Sequence, residues 1–261
     1  MKKREFKDYL QLMSLSKIIT SLWIIIGVVY ITKFNFLKID LIKLFLVVIL
    51  FTLFYSGIYM INDIVDYEKD SKNKEKLLKK PIARGFISRK KAFLLALVIM
   101  ILISGISAIL IKELVIFEII ALIYNLVYSL VIKKIPFLDT LVGGFTHSLR
   151  GFTGAFLFGN VNFETYLMAI VVFLFSTGAI FFKRLRELEG KESVNRPLKY
   201  YSKKNIKIIQ IILLALIIII SVFVKNYDRL WILLAVVSYS LLLIFYDNKK
   251  RAYRLIKGAV Q

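Results

Sequence analysis

Long apolar runs alternate with short charged segments along the whole chain, and the charges fall almost entirely outside the runs. Eight runs lie near 16–32, 41–61, 92–111, 114–132, 138–158, 164–182, 206–224 and 229–246. Each approaches the roughly 20 residues a helix needs to cross a bilayer core about 30 Å thick. Most carry no polar stripe with a helical period, and the run from Ile206 to Val224 is apolar all round, so they are not core helices of a soluble domain. The pattern predicts an all-α, polytopic transmembrane helical bundle of eight helices. The first run follows Lys2, Lys3, Arg4 and Lys7 as in a signal peptide, but no small-residue cleavage pattern follows it, so it is read as a retained helix. The segment 247–257 is too charged to span and is expected to lie along the interface. With three Pro and no Ser/Gly-rich linker, residues 1–261 read as a single domain.

Composition sharpens the membrane reading. The chain is 59% apolar yet carries a net charge of +21. Of its 38 Lys and Arg, 31 fall in or beside the N-terminus, the segments after the even-numbered runs and the C-terminal tail, against 6 in the opposite loops. Basic residues collect on the cytoplasmic side, which predicts an integral protein of the cell (plasma) membrane with both termini cytoplasmic. The basic excess is thus a topology signal, and with no basic, aromatic-interleaved patch on a soluble fold, nucleic acid is excluded as a partner. Zero Cys excludes disulfides, thiolate metal sites and a Cys nucleophile, and a single His makes His-based metal or triad chemistry improbable.

Two cytoplasmic segments, 62–91 and 183–205, mix acids with bases where topology requires only bases. The second run ends as Asn62-Asp63-Ile64-Val65-Asp66-Tyr67-Glu68-Lys69-Asp70. On a continuing helix, Asn62, Asp66 and Asp70 recur every four residues and Asp63 lies one step away, so all four share one face. Clustered carboxylates repel unless a cation sits among them, and oxygen-only ligands suit Mg²⁺, which binds through one or two carboxylates plus substrate phosphates. The negative end of the helix dipole adds to that attraction. The alternative is a solvated helix end whose acids pair with Lys69, Lys72 and Lys74.

Asn62-Asp63-x-x-Asp66-x-x-x-Asp70, followed by Lys80-Pro81-Ile82-Ala83-Arg84-Gly85, resembles the first signature of the UbiA superfamily of intramembrane prenyltransferases. That resemblance implies nine helices around a central cavity, with Mg²⁺ bridging the aspartates and a donor's diphosphate. It assigns Asp63, Asp66 and Asp70 as catalytic, metal-binding residues, Asn62 to the same site, and Lys80, Arg84 and Lys79 to phosphate oxygens. Metal and fixed cations would stabilise charge developing on a diphosphate leaving group.

The family's second motif is usually Asp-rich, but here it reads Lys183-Arg184-Leu185-Arg186-Glu187-Leu188-Glu189, with Tyr201 downstream. It resembles the polyprenyl-phosphate phosphoribosyltransferase branch, on Lys183, Arg184, Glu187 and Tyr201. Fixed cations suit phosphorylated substrates, because Arg forks two oxygens of a phosphate and Lys adds a point charge. Cations also favour helix C-termini and the cytoplasmic interface without any substrate. The N-terminal segment lacks the Arg-Pro pattern that often precedes the family's first helix.

Arg150 lies mid-run in the fifth helix, on one stripe with Gly143, His147 and Gly154. An intramembrane Arg marks a functional cavity by default, and Arg150 is read as phosphate-facing. His147 reads as a satisfied interior residue, and Asn125, Tyr128 and Lys133 are weaker candidates. The expectation is a Mg²⁺-dependent transferase that displaces diphosphate from a donor at the cytoplasmic rim, with a lipid acceptor in the bilayer. Phosphoribosyl transfer from phosphoribosyl diphosphate to a polyprenyl phosphate comes first. Prenyl transfer from a prenyl diphosphate to an aromatic or glycerophosphate acceptor is the runner-up. A small cation-coupled transporter would place carboxylates at mid-membrane depth, whereas the clustered acids lie at one rim.

Overall fold

The computed structural model describes residues 3–188, 200–224 and 226–247, and among them it is helical with no strand. The helices are α1 (Lys3–Leu12), α2 (Leu22–Ile31), α3 (Leu41–Val65), α4 (Tyr67–Asp70), α5 (Lys74–Lys79), α6 (Arg89–Leu110), α7 (Leu114–Leu130), α8 (Leu138–Leu141), α9 (Phe145–Phe158), α10 (Phe163–Leu188), α11 (Lys203–Phe223) and α12 (Asn226–Asp247). A 3₁₀ segment, Leu15–Ser21, joins α1 to α2. Six stretches among the described residues are long and apolar enough to cross a membrane: Asp8–Ile31, Leu41–Val65, Arg89–Leu110, Leu114–Lys134, Phe163–Leu185 and Lys203–Phe223. Large apolar side chains on them face outward, including Ile42 at 75% and Ile109 at 85% exposure, as lipid-facing positions do and soluble surfaces do not. The charged tail beyond residue 247 lies outside the described residues.

Six of the eight expected runs correspond to these stretches among the described residues, and the fifth run is interrupted. Residues 138–158 are not one helix but α8, a 3₁₀ turn at Val142–Gly144, and α9 of 14 residues. Phe137 at φ 63° sets the entry. Gly144 then lies against α10, where a Cβ would fall 2.3 Å from Thr177 Oγ1 and 2.6 Å from the Phe173 carbonyl oxygen. The Thr177 hydroxyl donates to the Leu141 carbonyl at 3.0 Å, satisfying a backbone group that the break releases. The eighth run falls within α12.

The chain forms two compact units. The first comprises Met1–Ser21 and Leu41–Lys133. Its core is α3 packed on α6 and α7, with Phe51, Phe54, Ile58 and Met60 buried. Lipid tails are as apolar as these side chains, so close packing and polar links hold such helices together. Glu118 on α7, fully buried, accepts hydrogen bonds from Ser104 at 2.6 Å and Ser107 at 2.7 Å on α6. Ser21 and Thr52 share a 2.7 Å hydroxyl bond that ties the 3₁₀ segment to α3.

The second unit comprises Leu22–Asp40 and Lys134–Gln261. Here α2 lies directly on α9, at a distance only small residues permit: a Cβ on Gly27 would fall 1.9 Å from the Gly151 carbonyl oxygen. Helix α10 packs against α9, α11 and α12 around Phe181, Phe182, Leu185, Leu213, Ile217 and Tyr239.

Candidate active site

The acidic end of α3 is the centre of the first unit's charged segment. Helix α3 stops at Val65, and Asp66 (φ −85°, ψ −2°) opens the short α4. The helical register survives the break, because Asp66 N–H donates to the Asn62 carbonyl at 3.0 Å and Asp70 N–H to the Asp66 carbonyl at 2.9 Å. The four side chains expected on one face divide into two rows with different partners. Asn62 and Asp66, one turn apart, meet the end of the α7 span. Ser129 donates to Asn62 Oδ1 at 2.6 Å, and the Lys133 ammonium pairs with Asp66. Asp63 and Asp70, two turns apart, meet Lys80 instead.

Lys80 Nζ lies 2.6 Å from Asp63 Oδ1 and 2.7 Å from Asp70 Oδ2, and Lys76 Nζ lies 3.0 Å from Asp70 Oδ1. Two carboxylates therefore converge on one cationic atom. Burial pushes the Asp70 carboxyl up, but the Lys80 and Lys76 ammoniums outweigh it and hold the group below the usual carboxylate range. Burial likewise pushes Lys80 down, and Asp63 and Asp70 reverse it, leaving the ammonium above its ordinary value. The sequence suggested pairing with Lys69, Lys72 and Lys74 as an alternative; the side chain of Lys74 lies outside the described residues, and the described partners of these acids are Lys76, Lys80 and Lys133.

The lysine is delivered by a hydrogen-bonded loop. Arg84 N–H donates to the Lys80 carbonyl at 3.2 Å, Gly85 N–H to Ile82 at 3.0 Å and Phe86 N–H to Pro81 at 2.9 Å. Gly85 takes φ +78°, which favours glycine. Pro81, Ile82 and Ala83 are buried between the two cations, anchoring the loop and leaving Arg84 exposed. Arg84 Nη2 lies 2.6 Å from Asp8 Oδ1 and 3.4 Å from Gln11 Oε1 on α1.

Among the described residues, no group of three or more His, Cys, Asp or Glu is gathered to hold a metal, so Asp63, Asp66 and Asp70 are not a three-carboxylate cluster. Asp63 and Asp70 still fit Mg²⁺. Their oxygens converge on one cation, here the Lys80 ammonium; a metal held by the two carboxylates would take that place with Lys80 turned to the phosphate oxygens, since Mg²⁺ takes one or two carboxylates and completes its shell with phosphate oxygens and water.

The described part of the second motif is built around Arg184. Arg184, 3% exposed, places Nη2 3.0 Å from Asp139 Oδ2 and donates from Nε to Thr140 Oγ1 at 3.2 Å. Tyr201 donates to the same Asp139 carboxylate and accepts the Phe137 N–H at 2.8 Å, with its ring 4.5 Å from that of Phe137. Burial, then the Asp139 hydrogen bond, pushes the Tyr201 phenol up. The sequence expects Arg184 and Tyr201 to meet phosphate; in this structure both are engaged in a buried network that pins the start of α8 to α10. Lys183 is half-buried on α10, and the side chain of Glu187 lies outside the described residues. Arg150 is 2% exposed and donates to the Thr146 carbonyl at 3.2 Å, one turn back on α9. His147 stands beside Trp23, 5.6 Å between ring centroids. Asn125 donates to Ala121 on its own helix at 2.8 Å, and Tyr128 stacks on Tyr124.

Sequence reading missed Asp8, Lys76, Ser129 and Asp139. Asp139 had a usable signal, an acid one residue into an apolar run, where a charge needs a buried partner. Asp8, in a segment weighed only for its basic residues, had none.

A helical protein of the membrane-spanning class, carrying a lysine-bridged carboxylate pair at the end of α3, is what this geometry defines. A sequence model of the UbiA prenyltransferase family matches residues 20–256, and the chain belongs to that family. No curated protein matches it in sequence. Among solved structures it is similar to a digeranylgeranylglyceryl phosphate synthase, at 22% identity and TM-score 0.71 over 98% of this chain and 96% of that one. It is also similar to a UbiA homologue from Archaeoglobus fulgidus bound to GPP and Mg²⁺, at 16% identity and TM-score 0.73 over 94% and 88% of the two chains. The same homologue bound to DMAPP and Mg²⁺ gives 17% identity and TM-score 0.72 over 92% and 85%.

Proposed function

We propose that the chain is an intramembrane prenyltransferase that takes a prenyl diphosphate at the Asp63–Asp70–Lys80 site, with Mg²⁺, and passes the prenyl group to a lipid-soluble acceptor. The observation that carries the proposal is the convergence of two carboxylates on the Lys80 ammonium. Asp63 and Asp70 are the residues that would hold Mg²⁺, which when bound offsets charge on the diphosphate as it departs. The similar fold of homologues bound to DMAPP or GPP with Mg²⁺ supports this donor class.

In the reaction, the donor's C1–O bond breaks, diphosphate leaves with the electron pair, and the acceptor's nucleophilic atom bonds to C1 and gives up its proton to water or the departing diphosphate. Lys80 is held on a buried anchor and brings positive charge to the carboxylate pair and the incoming phosphate oxygens. Lys133 neutralises Asp66 and keeps a further cation at the same rim. Ser129 fixes the Asn62 side-chain oxygen, which presents the Asn62 amide nitrogen as a donor. The comparisons offer no support for phosphoribosyl transfer, whose sequence basis is Lys183, Arg184, Glu187 and Tyr201; Arg184 and Tyr201 both contact Asp139 here. The distribution of Lys and Arg supports placing this rim on the cytoplasmic side of the cell membrane.

The test is turnover of a labelled prenyl diphosphate by purified protein. Asp63→Asn and Asp70→Asn should each abolish it while the protein still elutes as an intact membrane protein, and excess chelator should stop the wild type. Turnover that persists in both variants, or in chelator, would remove the site from the chemistry.

A further inference from the structure

We propose that Asp8 is a positioning residue: through Arg84 it fixes the loop Lys80–Phe86 so that two cations, Lys80 and Arg84, are presented to a diphosphate together. The inference rests on the reading of that loop as phosphate-facing. It concerns α1, whose last turns open the stretch Asp8–Ile31 and whose acid plays no part in the motif.

Two independent contacts seat α1 on the loop. Asp8 Oδ1 meets Arg84 Nη2 at 2.6 Å, with Gln11 adding a longer contact to the same nitrogen. One residue on, the Tyr9 ring meets the Phe86 ring edge-to-face at a 5.3 Å centroid separation. The contacts flank Gly85, so they bracket the one left-handed residue of the loop.

The burial is asymmetric. The Asp8 side chain is 11% exposed and that of Arg84 32%, so the carboxylate is the anchor and the guanidinium the outward group. Both bonds use Nη2, so Asp8 grips one corner of the fork. A planar guanidinium held at one corner loses less rotamer freedom when another edge takes a phosphate than a free one would. A carboxylate that blocked Arg84 until substrate displaced it would make Asp8 inhibitory, and the experiment separates the two.

Full-length protein in detergent is titrated with inorganic pyrophosphate in the presence of Mg²⁺, and prenyl diphosphate turnover is the second readout. Asp8→Asn should weaken pyrophosphate binding by roughly threefold to tenfold, about the worth of one ordinary hydrogen-bonded contact. The KM for prenyl diphosphate should rise by the same factor, with kcat within about twofold, since binding rather than the bond-breaking step is affected. Asp8→Glu keeps the charge and should recover most of the affinity. In an Arg84→Ala background Asp8→Asn should change the Kd no further, as expected of two residues acting through one contact. Tyr9→Ala, at an exposed ring, probes the same clamp if Asp8→Asn does not fold, and should weaken pyrophosphate about twofold. An unchanged or tighter Kd in Asp8→Asn, or an undiminished effect beside Arg84→Ala, overturns the inference. So does a wild type without pyrophosphate affinity. A wild type that binds pyrophosphate but moves no prenyl group refutes the prenyl-transfer reading and leaves the Kd comparison standing.

Discussion

Replacing Lys80 by Met removes the ammonium and keeps the stem, leaving Asp63 and Asp70 without the cation they share. Breaking a fully buried ion pair costs about 3–5 kcal/mol. The side chains of Lys80 and Asp63 are 23% and 12% exposed, however, and Asp70 retains Lys76 at 3.0 Å. With screening by that access to water, the loss should be about 2 kcal/mol. For a chain of this size that lowers the melting temperature by about 4–8 °C. The assay is thermal unfolding in detergent at fixed scan rate, followed by size-exclusion chromatography, because membrane proteins often unfold irreversibly. The double variant Lys80→Met/Asp63→Asn should recover part of the loss, since removing the abandoned carboxylate removes its desolvation cost. It should stay inactive. A melting temperature unmoved by Lys80→Met, or a double variant no more stable than the single, would refute the shared-cation geometry.

Asp70 is held below the ordinary carboxylate range, so its contribution to stability is present above about pH 4, the unfolded value, and is lost as pH falls through its folded value. Asp70→Asn should therefore flatten the acid limb of the stability curve, seen in melts from pH 3 to 6, while leaving the alkaline limb, where the raised Lys80 titrates, intact. Arg184→Ala should act on folding and not on donor affinity: it abandons the 2%-exposed Asp139 at about 3–5 kcal/mol, and added Asp139→Asn should rescue yield; a variant that folds normally with only a raised KM would restore the phosphate role. Tags fused after Lys74 or Lys191 should be accessible only from the cytoplasm, and tags after Ile111 only from outside; the reverse pattern would invert the rim assignment.

The sequence makes the membrane character and the site legible for different reasons. Apolar runs such as Leu41 to Ile61 announce themselves because lipid demands it of every outward position. The acids of the first motif announce themselves because four oxygen-bearing side chains at helical spacing have few structural uses. What stays hidden is pairing across sequence distance. Asp63 and Lys80 are 17 residues apart and Asp66 and Lys133 are 67 apart, and only the packing of α7 and the fold-back of the loop decide which lysine each acid meets. The division of the acidic face into two rows follows from those partners and is invisible in a helical wheel. The partner of Arg184 stays hidden for the same reason: Asp139 is 45 residues away, and only the fold brings it against the guanidinium. The fifth run reads as one span because composition alone does not reveal that Gly143 and Gly144 break the helix against α10.

The most direct measurement gives the purified protein, with Mg²⁺, a labelled prenyl diphosphate and a labelled phosphoribosyl diphosphate in parallel, with membrane lipid extract as acceptor. The proposed function predicts that prenyl label enters the lipid fraction with stoichiometric release of diphosphate, that no pentose label does, and that Asp63→Asn abolishes the transfer. Pentose transfer without prenyl transfer would contradict it.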